Sequence, residues 1–207
     1  MQPKVYQVFP QAVMKFKMDR EFTKEEIEFF EKAKSETKTF PGSDRMTKDK
    51  FILEQPKMKG VKDFIQKSLE HYFNDVHSPA SFVNVKPYIT QSWINYLDYG
   101  TRHASHTHSN SFLSGVLYIN ANKNVDAIEF IKPDYQAWSF EKKEFNDFNS
   151  PITSIKVDKY ELVIFPSSMV HCVPQTTNRE TRVSLAFNTF LKGEFGDKND
   201  HLNYLSL

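Results

Sequence analysis

The stretch Tyr99–Asn120, YGTRHASHTHSNSFLSGVLYIN, decides how this chain is read. Its first half packs His103, His106 and His108 into six residues. Its second half runs from Phe112 into an apolar, β-rich segment. No other part of the chain concentrates potential metal ligands in this way. Residues two apart on a strand face the same side, so His106-Thr107-His108 can present two imidazoles to one ion. Alone the pair is a weak sign, because such pairs also decorate surfaces.

Working outward, short segments rich in Val, Ile, Phe, Tyr and Thr flank this stretch on both sides. They are Tyr88–Leu97, Phe112–Asn120, Ala127–Ile131, Ile152–Val157, Glu161–Phe165 and Thr181–Leu191, and turn residues separate most of them. No helical periodicity interrupts them, which predicts an antiparallel sandwich or barrel. The first third differs. Thr23 and Glu26 have capping-box spacing, and Phe22 can staple onto Ile27. A helix is predicted to about Glu36 with Ile27, Phe30 and Ala33 buried. A second helix follows Gly60, with Val61, Phe64, Ile65, Leu69 and Tyr72 on one stripe, ending near Asn74. Val5–Met18 reads as one or two strands and Thr39–Lys59 as mostly loop. The segment Pro133–Pro151, with Tyr135, Trp138, Phe140, Phe145 and Phe148, reads as a long loop near the site opening.

The 207 residues suit one domain with a substantial core, and 19 Phe and 9 Tyr supply apolar material for it. A formal net charge of +1, with acidic and basic residues interleaved, argues against a nucleic-acid partner. The single cysteine, Cys172, excludes an internal disulfide and suits a small buried filler. The N-terminus lacks a signal-peptide pattern, and no stretch is long enough for a membrane span. An intracellular, cytoplasmic location without a membrane partner is the expectation.

Two further features stand downstream. The apolar strand Leu162–Phe165 is broken by Pro166, and His171 follows near the next strand start. Then comes Arg182-Val183-Ser184. Alternation puts Val183, Leu185 and Phe187 on one face and Arg182, Ser184 and Ala186 on the other. A guanidinium facing an interior needs an anion, and its fork matches a carboxylate. An exposed edge-strand arginine is the competing interpretation.

Together these features resemble the non-haem Fe(II)/2-oxoglutarate-dependent oxygenases on their prolyl-hydroxylase-like side. Within that superfamily they come closest to a bacterial and phage group. The family pattern is His-x-Asp/Glu, a later His, then Arg or Lys, often as Arg-x-Ser. Here the matching residues are His106-Thr107-His108, His171 and Arg182-Val183-Ser184, over about residues 87–191. The resemblance implies a mainly β fold with flanking helices (α+β). Its double-stranded β-helix (jelly-roll, cupin-like) core would span about 81–191, with two N-terminal helices supporting it within about 1–80, in a single domain over 1–207. It implies Fe(II) held by His106, His108 and His171. It implies 2-oxoglutarate bound by Arg182, Ser184, Tyr118 and Asn95, with ascorbate as an accessory. The implied activity is hydroxylation of an unactivated C–H bond of a peptidyl (such as prolyl) or small-molecule substrate, releasing succinate and CO2. For a phage-encoded chain the compartment would be the host cytoplasm.

One departure matters. His108 stands where the family has a carboxylate, so His103 or Asp98 could supply the missing ligand. The competing functions are a cupin-like three-histidine metalloenzyme that does not use 2-oxoglutarate, and a non-catalytic jelly-roll binding module.

Overall fold

The two faces of the strand that carries Arg182 organise the molecule. The computed structural model describes residues 3–39, 44–81, 83–133, 138–199 and 203–207. That strand, Arg182–Phe195 (β11), lies in the middle of the larger of two antiparallel sheets. In chain order the others are β1 Met14–Lys17, β2 Thr37–Thr39, β3 Arg45–Thr47, β4 Val85–Leu97, β5 His103–His106 and β6 Leu113–Asn120. They continue with β7 Ala127–Ile131, β8 Ile152–Lys156, β9 Glu161–Pro166 and β10 His171–Val173, and β12 Leu205–Ser206 closes the chain. The larger sheet runs β1-β9-β6-β11-β4-β3-β2 with β12 on β11, and the smaller runs β5-β10-β7-β8. This is a double-stranded β-helix, as expected.

Two cores follow from strand alternation. Val183, Leu185 and Phe187 face a core shared with Ile94, Leu117 and Leu162 of the sheet and with the two helices, α1 Lys24–Ala33 and α2 Lys59–His77. Val61, Ile65, Leu69 and Tyr72 of α2 are fully buried there, each worth about 1.5–3 kcal/mol of apolar burial. A second core lies between the sheets, from Tyr118, Val163 and Phe165 on one side and Ile128 and Phe130 on the other. Strands β6 and β11 pair Gly115 with Phe187. The Phe187 ring occupies the space a side chain there would need.

Several boundaries differ from expectation for local reasons. The predicted capping box is present. Thr23 Oγ1 accepts from the Glu26 amide at 3.2 Å, and Glu26 Oε2 accepts from the Thr23 amide at 2.8 Å. The staple is not. Ile27 is exposed, and Phe22 packs edge-on against Phe30 instead, at 5.2 Å between ring centroids. The inward side of that turn is taken by Glu26, which pairs with Arg20 at 2.7 Å. Helix α1 ends at Ala33, with a 3-10 turn over Lys34–Glu36. Helix α2 runs on to His77, where Ser78 adopts the left-handed conformation and ends it.

Thr39–Lys59 is more than loop. Antiparallel β2 and β3 extend the larger sheet at its edge, and two 3-10 turns bury Ile52, Leu53 and Met58. Residues 40–43 fall outside the described residues. Of Val5–Met18 only β1 is a strand; Val5, Tyr6, Val8 and Phe9 are exposed and pair with nothing in a sheet. In the Pro133–Pro151 segment, Tyr135 lies outside the described residues. Trp138, Phe140, Phe145 and Phe148 are exposed in irregular backbone, and none of them lines the histidine cavity described below. Among the described residues, no helix is long and apolar enough to cross a membrane.

Candidate active site

The smaller sheet delivers the histidines. His106 ends β5 and His171 begins β10, and antiparallel pairing sets them directly opposite each other. The backbone then turns so that the His108 amide donates to the Ser167 carbonyl at 3.0 Å. That bond ties the loop after β5 to the turn after β9 and swings the third imidazole inward. The ligand atoms of His106, His108 and His171 all lie within 4.8 Å of one another. His108 Nε2 and His171 Nε2 are 3.3 Å apart.

Ring orientation is fixed from behind. His106 Nδ1–H donates to the Ala104 carbonyl at 2.8 Å, and His171 Nδ1–H donates to the Met169 carbonyl at 2.9 Å. A carbonyl only accepts, so each ring is held as the Nδ1–H tautomer with a free lone pair on Nε2. This is the outer-shell arrangement that orients metal-binding histidines. Burial pushes all three imidazoles below the ordinary histidine pKa, His108 to about 3 and His171 to about 4, with mutual repulsion adding to the shift. The centre is therefore a cluster of neutral imidazoles near neutral pH.

Histidines held neutral in the fold but free to protonate when unfolded make stability fall as pH drops below the unfolded value of about 6.5. The loss is complete only once the pH passes the folded values of His171 and His108, about 4 and about 3. Protons compete for the free nitrogens of His108 and His171 only in that acidic range, and burial moves His106 in the same direction. Affinity for Ni(II) should accordingly stay flat from about pH 8 to about pH 6, where an ordinary surface histidine pair weakens. Calorimetric titration across that range checks this; a tenfold loss of affinity by pH 6 would contradict it.

The larger sheet supplies the opposite wall. The inward positions of β4 are Trp93, Asn95 and Leu97, and those of β11 are Ala186, Ser184 and Arg182, paired across the ladder in that order. With the histidines they line a cavity of about 220 Å³. Trp93 and His108 lie side by side at one end, their ring centroids 6.0 Å apart. Four residues along the ladder from Trp93, beside Leu97, Arg182 is 1 % exposed. Its Nη1 donates to the Ala127 carbonyl at 3.3 Å, and its guanidinium sits 5.1 Å from the centroid of the Tyr118 ring.

Polar atoms buried here lack partners. Among the described residues, Trp93 Nε1, Asn95 Oδ1, Tyr118 Oη and Arg182 Nε make no hydrogen bond. Buried polar groups are nearly always satisfied, so the orphans on three residues that line the cavity, Trp93, Asn95 and Arg182, mark a polar ligand. Burial pushes the Tyr118 hydroxyl up, against the pull of Arg182 beside it, so it stays a neutral donor.

The structure gathers the residues expected from sequence unevenly. His106, His108, His171, Arg182, Ser184 and Asn95 surround the cavity, and Tyr118 stands behind Arg182. Neither candidate for a replacement ligand joins the three histidines. Asp98 is held away by a two-pronged pair with Arg45, at 2.8–3.1 Å, and by the Thr181 hydroxyl at 2.7 Å. His103 does line the cavity, but its Nδ1–H donates to buried Asp44 at 3.0 Å. Sequence reasoning missed Trp93 and Asp44. Counting back two residues from Asn95 would have found Trp93. No local signal marks Asp44, whose contact with His103 spans two sheets.

Residues 91–188 match the model of a family described as "Putative 2OG-Fe(II) oxygenase". The match covers just under half of the chain and is a likeness to that family. No curated protein matches it. Solved structures share its fold at low identity. One is a prolyl-4-hydroxylase from Pseudomonas putida, 12% identical, covering 86% of this chain and 92% of that one, with a TM-score of 0.54. HygX from Streptomyces hygroscopicus, with nickel, 2-oxoglutarate and hygromycin B bound, is 10% identical and covers 86% and 82%, with a TM-score of 0.54. The epimerase SnoN of nogalamycin biosynthesis is 9% identical and covers 87% and 78%, with a TM-score of 0.61. The geometry fits the Fe(II) and 2-oxoglutarate that the family's description names. Three imidazole lone pairs suit a first-row metal, and an unsatisfied guanidinium suits a carboxylate. His108 stands at the position where the resemblance leads one to expect a carboxylate.

Proposed function

We propose that this protein is a 2OG-Fe(II) oxygenase that hydroxylates a C–H bond of a peptidyl or small-molecule substrate, with His106, His108 and His171 as its metal ligands. The observation that carries the reading is the buried Arg182 fork, which pairs with no carboxylate among the described residues, at the far end of a cavity that begins at three neutral imidazoles. Fe(II) held there supplies the coupling of O2 reduction to oxidative decarboxylation of 2-oxoglutarate, so that one oxygen atom enters succinate, CO2 leaves, and the other oxygen goes to the substrate.

The protein's own groups bind and orient. Arg182 pairs with the distal carboxylate through its fork. Ser184 and Tyr118 add hydroxyl donors beside it, and the Asn95 amide offers N–H donors midway along the ladder. The apolar walls, Val116, Ile128 and Ala186, exclude water, so these few polar contacts act at low dielectric and fix the co-substrate in one pose. Three neutral ligands leave a divalent centre one unit more positive than a two-histidine, one-carboxylate set, which favours a dianionic co-substrate. A three-histidine enzyme that does not use 2-oxoglutarate would account for His108 but leave the Arg182 fork unexplained.

Uncoupled turnover tests this directly. Protein loaded anaerobically with Fe(II) and 2-oxoglutarate, then exposed to air, should release succinate without added substrate. Absence of succinate, together with absence of 2-oxoglutarate binding to the Ni(II) form, would exclude the reading.

A further inference from the structure

Trp93 is a buried donor with no partner at the end of the cavity opposite Arg182. Its Nε1–H is shielded from solvent and makes no hydrogen bond. The ring lines the cavity beside His108 and lies across the ladder from Ala186. Lys50 stands 5.7 Å from the indole centroid, and its ammonium donates to the Thr47 carbonyl at 2.8 Å. A cation over an indole ring draws density from it and makes the N–H a stronger donor. Burial lowers the Lys50 pKa, against the pull of Asp44 and Asp49.

We propose that Trp93 is a binding residue of the co-substrate site, its indole N–H donating to the carboxylate at the histidine end of a five-carbon dianion whose other end Arg182 holds. This rests on the oxygenase reading above and adds to it a specific anchor for the second carboxylate. Both ends of the cavity then carry a donor, the Trp93 indole at one end and the Arg182 guanidinium at the other. Such a pair selects a dicarboxylate over a monocarboxylate. Hydrogen bonds to a charged group are worth more than neutral ones, so losing this one should weaken binding about tenfold.

The test is calorimetric titration of 2-oxoglutarate into Ni(II)-loaded protein, which binds without turning over. Trp93→Phe removes the N–H, and 3-benzothienylalanine at position 93 replaces the N–H by sulfur while keeping the ring's size. In both variants the Kd for 2-oxoglutarate should rise about tenfold, with the Kd for Ni(II) within about twofold of the parent. If Trp93→Phe fails to fold, the benzothienyl variant decides alone. A Kd for 2-oxoglutarate unchanged in the benzothienyl variant overturns the assignment of Trp93 alone. No binding of 2-oxoglutarate to the unaltered Ni(II) protein overturns both this assignment and the oxygenase reading.

Discussion

His171→Ala should reduce metal binding from about one equivalent to none at micromolar Fe(II) or Ni(II), with the apo-protein still folded. The expectation rests on how His171 is held. Its Nδ1–H is committed to the Met169 carbonyl at 2.9 Å, and its ring is packed against Phe165 at 4.6 Å between centroids. The free Nε2 therefore has one orientation, facing His106 across the ladder and His108 at 3.3 Å. Loss of an outer-shell partner of a metal ligand typically costs 10–100-fold in affinity. Loss of a ligand from a set of three should exceed that, to about 100-fold or more. Elemental analysis of purified protein gives the stoichiometry, and circular dichroism checks the fold. Full metal occupancy in a folded His171→Ala protein would mean that the three imidazoles are not the site. It would also revive the binding-module reading, in which the histidines are incidental.

The same residues show what the sequence could and could not convey. His-x-His, the lone His171 and Arg-x-Ser are legible because their chemistry belongs to residue types at fixed short spacings. Their convergence is not local. It depends on β5, whose residues His103-Ala104-Ser105-His106 have no apolar alternation to announce a strand, and on β10, which is only three residues long. Register between two such strands is set by the sheet around them and leaves no mark on either segment. Ala127–Ile131 was predictable to the residue because its apolar, β-rich run is bounded by turn residues, whereas β4 begins before the expected Tyr88 and β11 runs on past the expected Leu191. Trp93 was hidden for the opposite reason. Within Ser92-Trp93-Ile94-Asn95-Tyr96-Leu97 it passes for one more apolar strand residue, and only the unpartnered Nε1 distinguishes it. The misplaced staple at Ile27 has a similar origin. The spacing was right, but the Arg20–Glu26 pair already occupied the inward side of the turn.

Arg182→Met should raise the thermal stability of the apo-protein while abolishing its stabilisation by 2-oxoglutarate. A guanidinium that is 1 % exposed, with one carbonyl contact at 3.3 Å and an unpartnered Nε, is a charge taken out of water without adequate return. Replacing buried ionic groups by apolar ones of similar volume is often neutral or stabilising by about 1–4 kcal/mol. For a protein of this size each kcal/mol moves Tm by about 2–4 °C. The Ni(II) form of the parent should gain Tm with added 2-oxoglutarate, because a ligand that binds only the folded state stabilises it by mass action. In Arg182→Met that gain should vanish, with the Kd rising about 100-fold or more. Truncating one partner of a buried hydrogen-bonded charge pair costs about 2–5 kcal/mol. A structural arginine would behave in the opposite way. Its removal would lower the apo Tm and leave the ligand-induced rise intact, so scanning the two proteins with and without 2-oxoglutarate separates a residue kept for the fold from one kept for an anion.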